Sequence, residues 1–199
     1  MGRTPLSQVL LAKRLRARGF QVHLFGYSTL RPFSATLNRL VTRLRALGGH
    51  GHFILVGHSL GCVLIRASIP RIAPLRPFAC FLLAPPSKVP RAARFLAKNR
   101  LYRLIAGESG QLLANEAFMA ALPLPPGPVK VYAGTAGHTG RLSPFNGEAN
   151  DGILAVSETA LSPAHPSILV PVLHTFIMNS EFVANDIATT VAALGGGSL

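Results

Sequence analysis

The sequence is poor in acidic residues and contains no nucleic-acid-binding motif. Its 199 residues include 20 lysines and arginines but only 7 aspartates and glutamates, a formal net charge of +13. This imbalance favours contact with anionic surfaces, although arginines scattered over several predicted helices also fit a solvated basic surface. Neither zinc-finger spacing nor an RNA-binding aromatic signature is present, so nucleic acid is not expected as a partner.

The sequence is also poor in cysteine and has no long apolar run. Cys62 and Cys80 are its only cysteines, and we expect both to be buried free thiols rather than parts of a disulfide framework. No apolar run reaches the roughly 18 residues of a membrane span, and the N-terminus lacks a signal-peptide core. These features predict a cytoplasmic protein. Weak contact with an anionic membrane surface and homo-oligomer formation both remain open.

What the chain does contain is a regular alternation of apolar and amphipathic segments. Strand patterns cover 21–27, 53–56, 78–84, 129–133 and 168–173, and helical patterns cover 4–18, 37–47, 60–68 and 181–194. The alternation predicts one α/β domain, spanning 1–199, with a mostly parallel sheet flanked by helices. The mixed segment 88–122 is expected to form a small lid.

The most informative motif is the stretch Gly57-His58-Ser59-Leu60-Gly61. An apolar strand pattern precedes it and an apolar helical pattern follows at once. A strand, a tight turn and a helix with a serine at the apex form a nucleophile elbow, in which the hydroxyl projects above the carboxyl edge of the sheet. Glycine is expected at 57 and 61 because side chains there would collide as strand and helix approach each other.

A serine hydroxyl needs a base to become a nucleophile, and the base is usually a histidine oriented by a carboxylate. In folds organised around such an elbow, the acid and then the histidine follow the serine, each in a loop after a strand. Among the seven histidines, His174 directly follows the last predicted strand. His174 is therefore the predicted base, and an ordinary structural histidine is the alternative.

The acid can be found by elimination. Aspartate occurs only at positions 151 and 186, and Asp186 lies after His174 within the last predicted helix. Asp151 follows the strand at 129–133 through a loop. It precedes a glycine, a pair that is ordinarily turn chemistry, but the chain order favours Asp151 as the acid. Glu148 and Glu158 are the alternatives.

Together with the elbow, three further segments carry a resemblance to a known family: 25–28, 150–159 and 174–180. They resemble the bacterial α/β-hydrolase esterases and lipases of the inositol-deacylase-related, PGAP-like group, over nearly the whole chain. The resemblance implies an α/β-hydrolase fold and hydrolysis of carboxylic esters by a Ser59-Asp151-His174 triad. It implies neither a cofactor nor a metal.

The oxyanion that forms during such a reaction needs two hydrogen-bond donors. The backbone N–H of Leu60, the residue after the nucleophile, is the expected first donor. Alignment with the group places Met1 at the residue that would supply the second, and the group's preceding apolar strand is absent. The resemblance thus implies a minimal, N-terminally truncated form lacking N-terminal strands.

The absent strand would lie between the segments 21–27 and 53–56 of the sheet. Buried backbone groups left unpaired there would cost about 1–3 kcal/mol each. Three arrangements are therefore open: the two segments pair directly, another chain fills the slot, or the working protein begins further upstream.

The sequence as a whole predicts a serine carboxylesterase that hydrolyses short-acyl esters, with a small molecule or a lipid as substrate. Acyl transfer to an alcohol by the same triad is one alternative. The other is a non-catalytic hydrolase remnant that binds a lipid or a partner protein.

Overall fold

The computed structural model describes residues 8–29, 31–48, 52–91, 110–140 and 143–195. The helices are α1 (Val9–Arg16), α2 (Phe33–Gly48), α3 (Leu60–Ile72), α4 (Glu116–Ala121) and α5 (Glu181–Ala193). The strands are β1 (Ile54–His58), β2 (Ala79–Leu83), β3 (Val129–Gly134) and β4 (Ser167–Val170). Two short 3-10 helices, Val156–Glu158 and His174–Asn179, lie in the loops that follow β3 and β4.

The four strands form a parallel sheet in the order β1-β2-β3-β4. Strand β2 is buried along its whole length because helices cover both faces of the sheet. One core cluster lies with α2 and α3 on one face, and a second lies with α1 and α5 on the other. The predicted α/β architecture is confirmed. All four strands end at the same edge, which we call the carboxyl edge.

The strand predicted at 21–27 is not formed. Residues 20–26 carry no strand pairing, and only Tyr27 takes part in an isolated bridge. A cavity of about 190 Å³ separates this segment from β1, with α1 on one side and α2 and α3 on the other. Paired strands lie about 4.8 Å apart, and the intervening cavity prevents that approach. Direct pairing of the two segments, one of the three open arrangements, is therefore wrong.

Much of the lid predicted at 88–122 falls on residues 92–109, outside the described residues. Its described end includes α4, whose Met119 is buried against the cluster of α2 and α3. The Arg66 guanidinium of α3 donates to the carbonyl oxygen of Pro123 at 3.0 Å, which fixes the chain just after α4. Within the described ranges, no helix is long and apolar enough to cross a membrane.

Candidate active site

Ser59 occupies the turn between β1 and α3, at the carboxyl edge. Its backbone dihedrals, φ 52° and ψ −121°, are strained for a residue other than glycine. The turn is held from both sides: the N–H of Ser59 donates to the carbonyl oxygen of Leu83 at 2.9 Å, and its own carbonyl accepts from the N–H of Cys62 at 2.9 Å. The predicted elbow is thus built from contacts to β2 and to the first turn of α3.

The two glycines of the elbow differ in the space around them. A methyl group on Gly57 would lie 2.8 Å from Cδ1 of Ile65 and 3.0 Å from the backbone nitrogen of Cys62, both tighter than nearly all real contacts. On Gly61 its nearest neighbour would be the Tyr27 hydroxyl at 3.8 Å, an ordinary contact. The expected collision therefore holds for Gly57 and is wrong for Gly61, because the space around that residue is open.

His174 opens the 3-10 helix that follows β4 and is 4% exposed. Its Nε2 lies 3.0 Å from Oγ of Ser59, and its Nδ1 lies 2.7 Å from Oδ2 of Asp151. The two ring nitrogens therefore face the hydroxyl and the carboxylate from opposite sides. In this arrangement the imidazole can accept the serine proton while Nδ1–H remains bound to the acid.

Asp151 lies in the loop after β3 and is 1% exposed. Its Oδ1 accepts hydrogen bonds from the backbone N–H groups of Ile153 at 2.9 Å and Leu154 at 2.7 Å. Its backbone carbonyl also accepts from the N–H of His174 at 2.9 Å. These bonds fix the carboxylate so that its other oxygen, Oδ2, is directed at the imidazole.

Two residues that support the site carried no clear signal in the sequence. A methyl group on Gly134, the last residue of β3, would lie 2.7 Å from Cβ of Asp151 and 2.5 Å from the carbonyl oxygen of Val172. Only glycine lets the two loops approach so closely.

His58 of the elbow is the second of these residues. It is bonded through Nε2 to the backbone carbonyl of His174 at 2.9 Å. Because a carbonyl can only accept, Nε2 of His58 carries the proton there.

The alternative acids have other partners. Glu158 is fully buried and accepts from the backbone N–H groups of Arg91 at 2.7 Å and Ala155 at 2.9 Å. Glu148 is 2.5 Å from the Arg91 guanidinium and accepts from the N–H of Ser157 at 2.9 Å. Burial alone would raise the pKa of Glu148, but hydrogen bonds from Ser157 and Arg91 outweigh it and hold that pKa below its usual range.

Leu60 is the first residue of α3, so its N–H lies in a helical turn that has no intrahelical acceptor. Met1 lies outside the described residues, so the second oxyanion donor stays a prediction.

Both cysteines are free and buried. Burial raises the pKa of Cys62 far above its ordinary value and that of Cys80 to about 12, so neither is a ready nucleophile.

The described residues contain no cluster of three or more histidines, cysteines or acids arranged to hold a metal ion. The sequence model of the alpha/beta hydrolase family matches residues 5–191, a range that includes the elbow, Asp151 and His174. No curated protein matches the chain.

Proposed function

The chain belongs to the alpha/beta hydrolase family, and on that premise we propose that it is a serine carboxylesterase acting through an acyl-enzyme. Family membership supports a hydrolase. The ester class of substrate rests on the resemblance to esterases and lipases. The acyl-enzyme mechanism rests on the site itself, and above all on one observation. Oγ of Ser59, the His174 ring and the Asp151 carboxylate form a continuous hydrogen-bonded chain, with contacts of 3.0 and 2.7 Å.

In the first half of the proposed reaction, Oγ of Ser59 attacks the ester carbonyl carbon while Nε2 of His174 takes the hydroxyl proton. Asp151 stabilises the imidazolium that results and keeps Nδ1–H in place. The carbonyl oxygen becomes an oxyanion, which the N–H of Leu60 stabilises. The tetrahedral intermediate then collapses, and His174 returns the proton to the departing alcohol, leaving the acyl group on Ser59.

In the second half, water replaces the alcohol. His174 removes a proton from the water as its oxygen attacks the acyl carbon, and the proton passes to Oγ as the acyl–serine bond breaks. The products are a carboxylic acid and the free serine. We propose short-acyl esters as substrates and a relation to the inositol-deacylase-like group; the latter is supported by the segments at 25–28, 150–159 and 174–180.

Turnover of a short-chain p-nitrophenyl ester tests this proposal. The wild-type protein should release p-nitrophenolate, and Ser59→Ala should lower kcat by about 10⁴-fold or more because it removes the nucleophile. Ser162→Ala is the matched control, since Oγ of Ser162 also contacts a histidine, Nδ1 of His165, at 2.9 Å. That pair lies outside the proposed triad, so kcat should be unchanged.

Equal turnover by wild-type protein and Ser59→Ala would contradict the proposal. A folded wild-type protein without turnover, on esters of several acyl lengths, would instead favour a hydrolase remnant that binds without catalysis. Loss of one oxyanion donor typically costs about 10²–10³ in rate. A slow reaction that depends on Ser59 therefore agrees with the proposal.

A further inference from the structure

Large apolar side chains are exposed mainly around the carboxyl edge of the sheet. Nine such residues are exposed among those the structure describes, and six of them surround this edge. We call these six the apolar rim; they are Val9, Leu10, Ile153, Leu173, Phe176 and Phe182. Exposed apolar groups gathered around a candidate site are a feature of interaction surfaces rather than of ordinary solvated ones.

The fold explains why four of these residues share one edge. Ile153 follows β3 and lies two residues after Asp151, and Leu173 follows β4 directly before His174. Phe176 belongs to the 3-10 helix that starts at His174 and is 53% exposed. Phe182, also 53% exposed, lies in the first turn of α5, which starts after that helix. All four therefore lie on the side where the strands end.

Hydrogen bonds from α1, and from the turn that follows it, to the last part of the chain place the other two residues. The Arg14 guanidinium donates to the carbonyl oxygen of Asn179, and that of Arg18 donates to Oδ1 of Asn185. Helix α1 therefore runs in the same direction as α5. Its first turn, with Val9 and Leu10 exposed by 44% and 40%, reaches the carboxyl edge.

Cationic side chains lie just behind or beside the apolar rim. Exposed Lys13 follows Val9 by one helical turn, about 6 Å further from the edge. Lys88, also exposed, lies in the loop after β2 and so at the same edge. The acidic Glu181 is 3.8 Å from the Arg18 guanidinium, which partly neutralises it. Apolar tips with cations at this depth match a membrane interface, where apolar groups enter about 5–10 Å and cations meet anionic headgroups.

We propose that the apolar rim docks on an anionic lipid surface and presents Ser59 to esters within that surface. The net charge of +13 attracts the whole molecule to such a surface, and the apolar rim determines which side faces it. Docking rests on the position of the rim and the cations alone. Its consequence, that the substrate is a lipid ester, rests on the proposed esterase activity.

Vesicle co-sedimentation of Ser59→Ala tests docking without turnover. The protein should sediment with phosphatidylcholine vesicles that contain about one third phosphatidylglycerol, and much less with pure phosphatidylcholine. Raising the salt concentration should weaken binding, because ions screen the attraction of Lys13 and Lys88 to the headgroups.

Two pairs of variants locate the docking surface. Val9→Gln/Leu10→Gln/Phe182→Gln should lower the partition coefficient at least about tenfold, since these side chains enter the interface. Leu124→Gln/Leu194→Gln, which changes exposed apolar residues before β3 and after α5, away from the carboxyl edge, should not. Likewise, Lys13→Glu/Lys88→Glu should weaken binding by about tenfold or more. Arg71→Glu/Arg76→Glu, at the opposite edge, should have a smaller effect.

Each change is also made in the protein that keeps Ser59, and there the hydrolysis of a water-soluble ester and the thermal transition check that the variant remains folded. The variant Val9→Gln/Leu10→Gln/Phe182→Gln, which we call the rim variant, should keep its hydrolytic activity and its thermal transition while losing vesicle binding. Equal binding by the rim variant and its control, or equal binding to neutral and anionic vesicles, would overturn the docking proposal. Vesicle binding by a protein that hydrolyses no ester would leave docking intact and contradict only the proposed function. A rim that bound a protein but no vesicle would overturn the lipid assignment.

Discussion

The Asp151 carboxylate is bonded to His174 and not to Ser59, yet the proposed proton transfer depends on it. Its Oδ1 is held by two backbone N–H groups, and its Oδ2 faces Nδ1 of His174. An asparagine fits this site sterically and can still accept from the backbone. Its amide nitrogen, however, would donate toward Nδ1, which stabilises the tautomer whose Nε2 cannot accept the serine proton.

Asp151→Asn should therefore lower kcat by about 10⁴-fold with little change in stability. Steady-state kinetics and thermal denaturation measure the two effects separately. The control is Asp186→Asn, which changes the other aspartate; its carboxylate binds Lys130 at 2.8 Å and the Tyr132 hydroxyl at 2.6 Å. That variant should lose stability and keep the kcat of its folded fraction. Full activity in Asp151→Asn would exclude the residue from the reaction.

The glycines of the elbow give a second test on single residues. Gly57→Ala should destabilise the fold by about 1–3 kcal/mol, because the new methyl group overlaps Ile65 and the backbone of Cys62. Gly61→Ala should be neutral or stabilise by up to about 1 kcal/mol, since alanine favours the helix and the space is open. Urea denaturation measures both. Equal destabilisation would show that the space around residue 61, whose nearest neighbour is the Tyr27 hydroxyl, is tighter than the structure indicates.

At the scale of elements, Arg91 and two glutamates hold the loop that carries Asp151. Arg91 follows β2 and contacts Glu148 and Glu158, which lie on either side of Asp151 in the chain. Because hydrogen bonds hold the pKa of Glu148 below its usual range, its ionised form is favoured by folding. The stability that it contributes is present above the unfolded pKa, about 4.3, and is lost as the pH falls through the folded value.

Wild-type protein should thus have a higher Tm than Glu148→Gln, by a constant difference between about pH 7 and pH 5. The difference should shrink below about pH 4 as Glu148 becomes protonated in both states. Calorimetry across this range measures it. Glu181→Gln is the control. The Glu181 side chain is 67% exposed and its ion pair with Arg18 is long, at 3.8 Å, so this change should have little effect on Tm. A difference in Tm that did not shrink below about pH 4 would contradict the assigned ion pair.

Strand β1 is the second element with a testable weakness, since the described sheet pairs it on one side only. The N–H of Ser59 bonds to β2, and backbone groups of alternate residues point to opposite sides of a strand. The N–H of Gly57 therefore also faces β2, whereas that of Val56 faces the cavity. The Val56 amide should exchange with solvent at least about tenfold faster than the Gly57 amide.

Hydrogen exchange followed by NMR measures this difference, and Phe81 and Leu82 provide the control. They are adjacent residues of β2, which is paired on both sides, so both should be protected. Equal protection of Val56 and Gly57 would mean that a further strand occupies the slot in solution. It would favour the arrangement in which another chain or an upstream segment completes the sheet.

At the scale of the whole molecule, the features readable from the sequence are those set by local pattern and chain order. The apolar runs before Ser59 and at β2 predict buried parallel strands, and the order Ser59, Asp151, His174 predicts which side chains share the carboxyl edge. The family match confirms the fold class and a hydrolase family. The structure brings Ser59, Asp151 and His174 together because a parallel sheet brings the ends of distant strands to one edge.

The features that the sequence did not reveal depend on neighbours far along the chain. An apolar run at 21–27 has strand propensity, but pairing needs an adjacent strand, and a cavity lies there instead. Gly134 is constrained by two loops that follow different strands. The bond from His58 to the His174 carbonyl likewise joins residues 116 positions apart. Local periodicity carries no signal for contacts of this kind.

The central claim is that His174 and Asp151 activate Ser59, and labelling with a fluorophosphonate tests it most directly. The probe reacts with an activated serine whatever the natural ester, so it does not depend on choosing a substrate. Mass spectrometry should find the adduct on Ser59 of the wild-type protein, and His174→Ala should abolish it while the protein stays folded. No adduct on folded wild-type protein, or undiminished labelling of His174→Ala, would contradict the account.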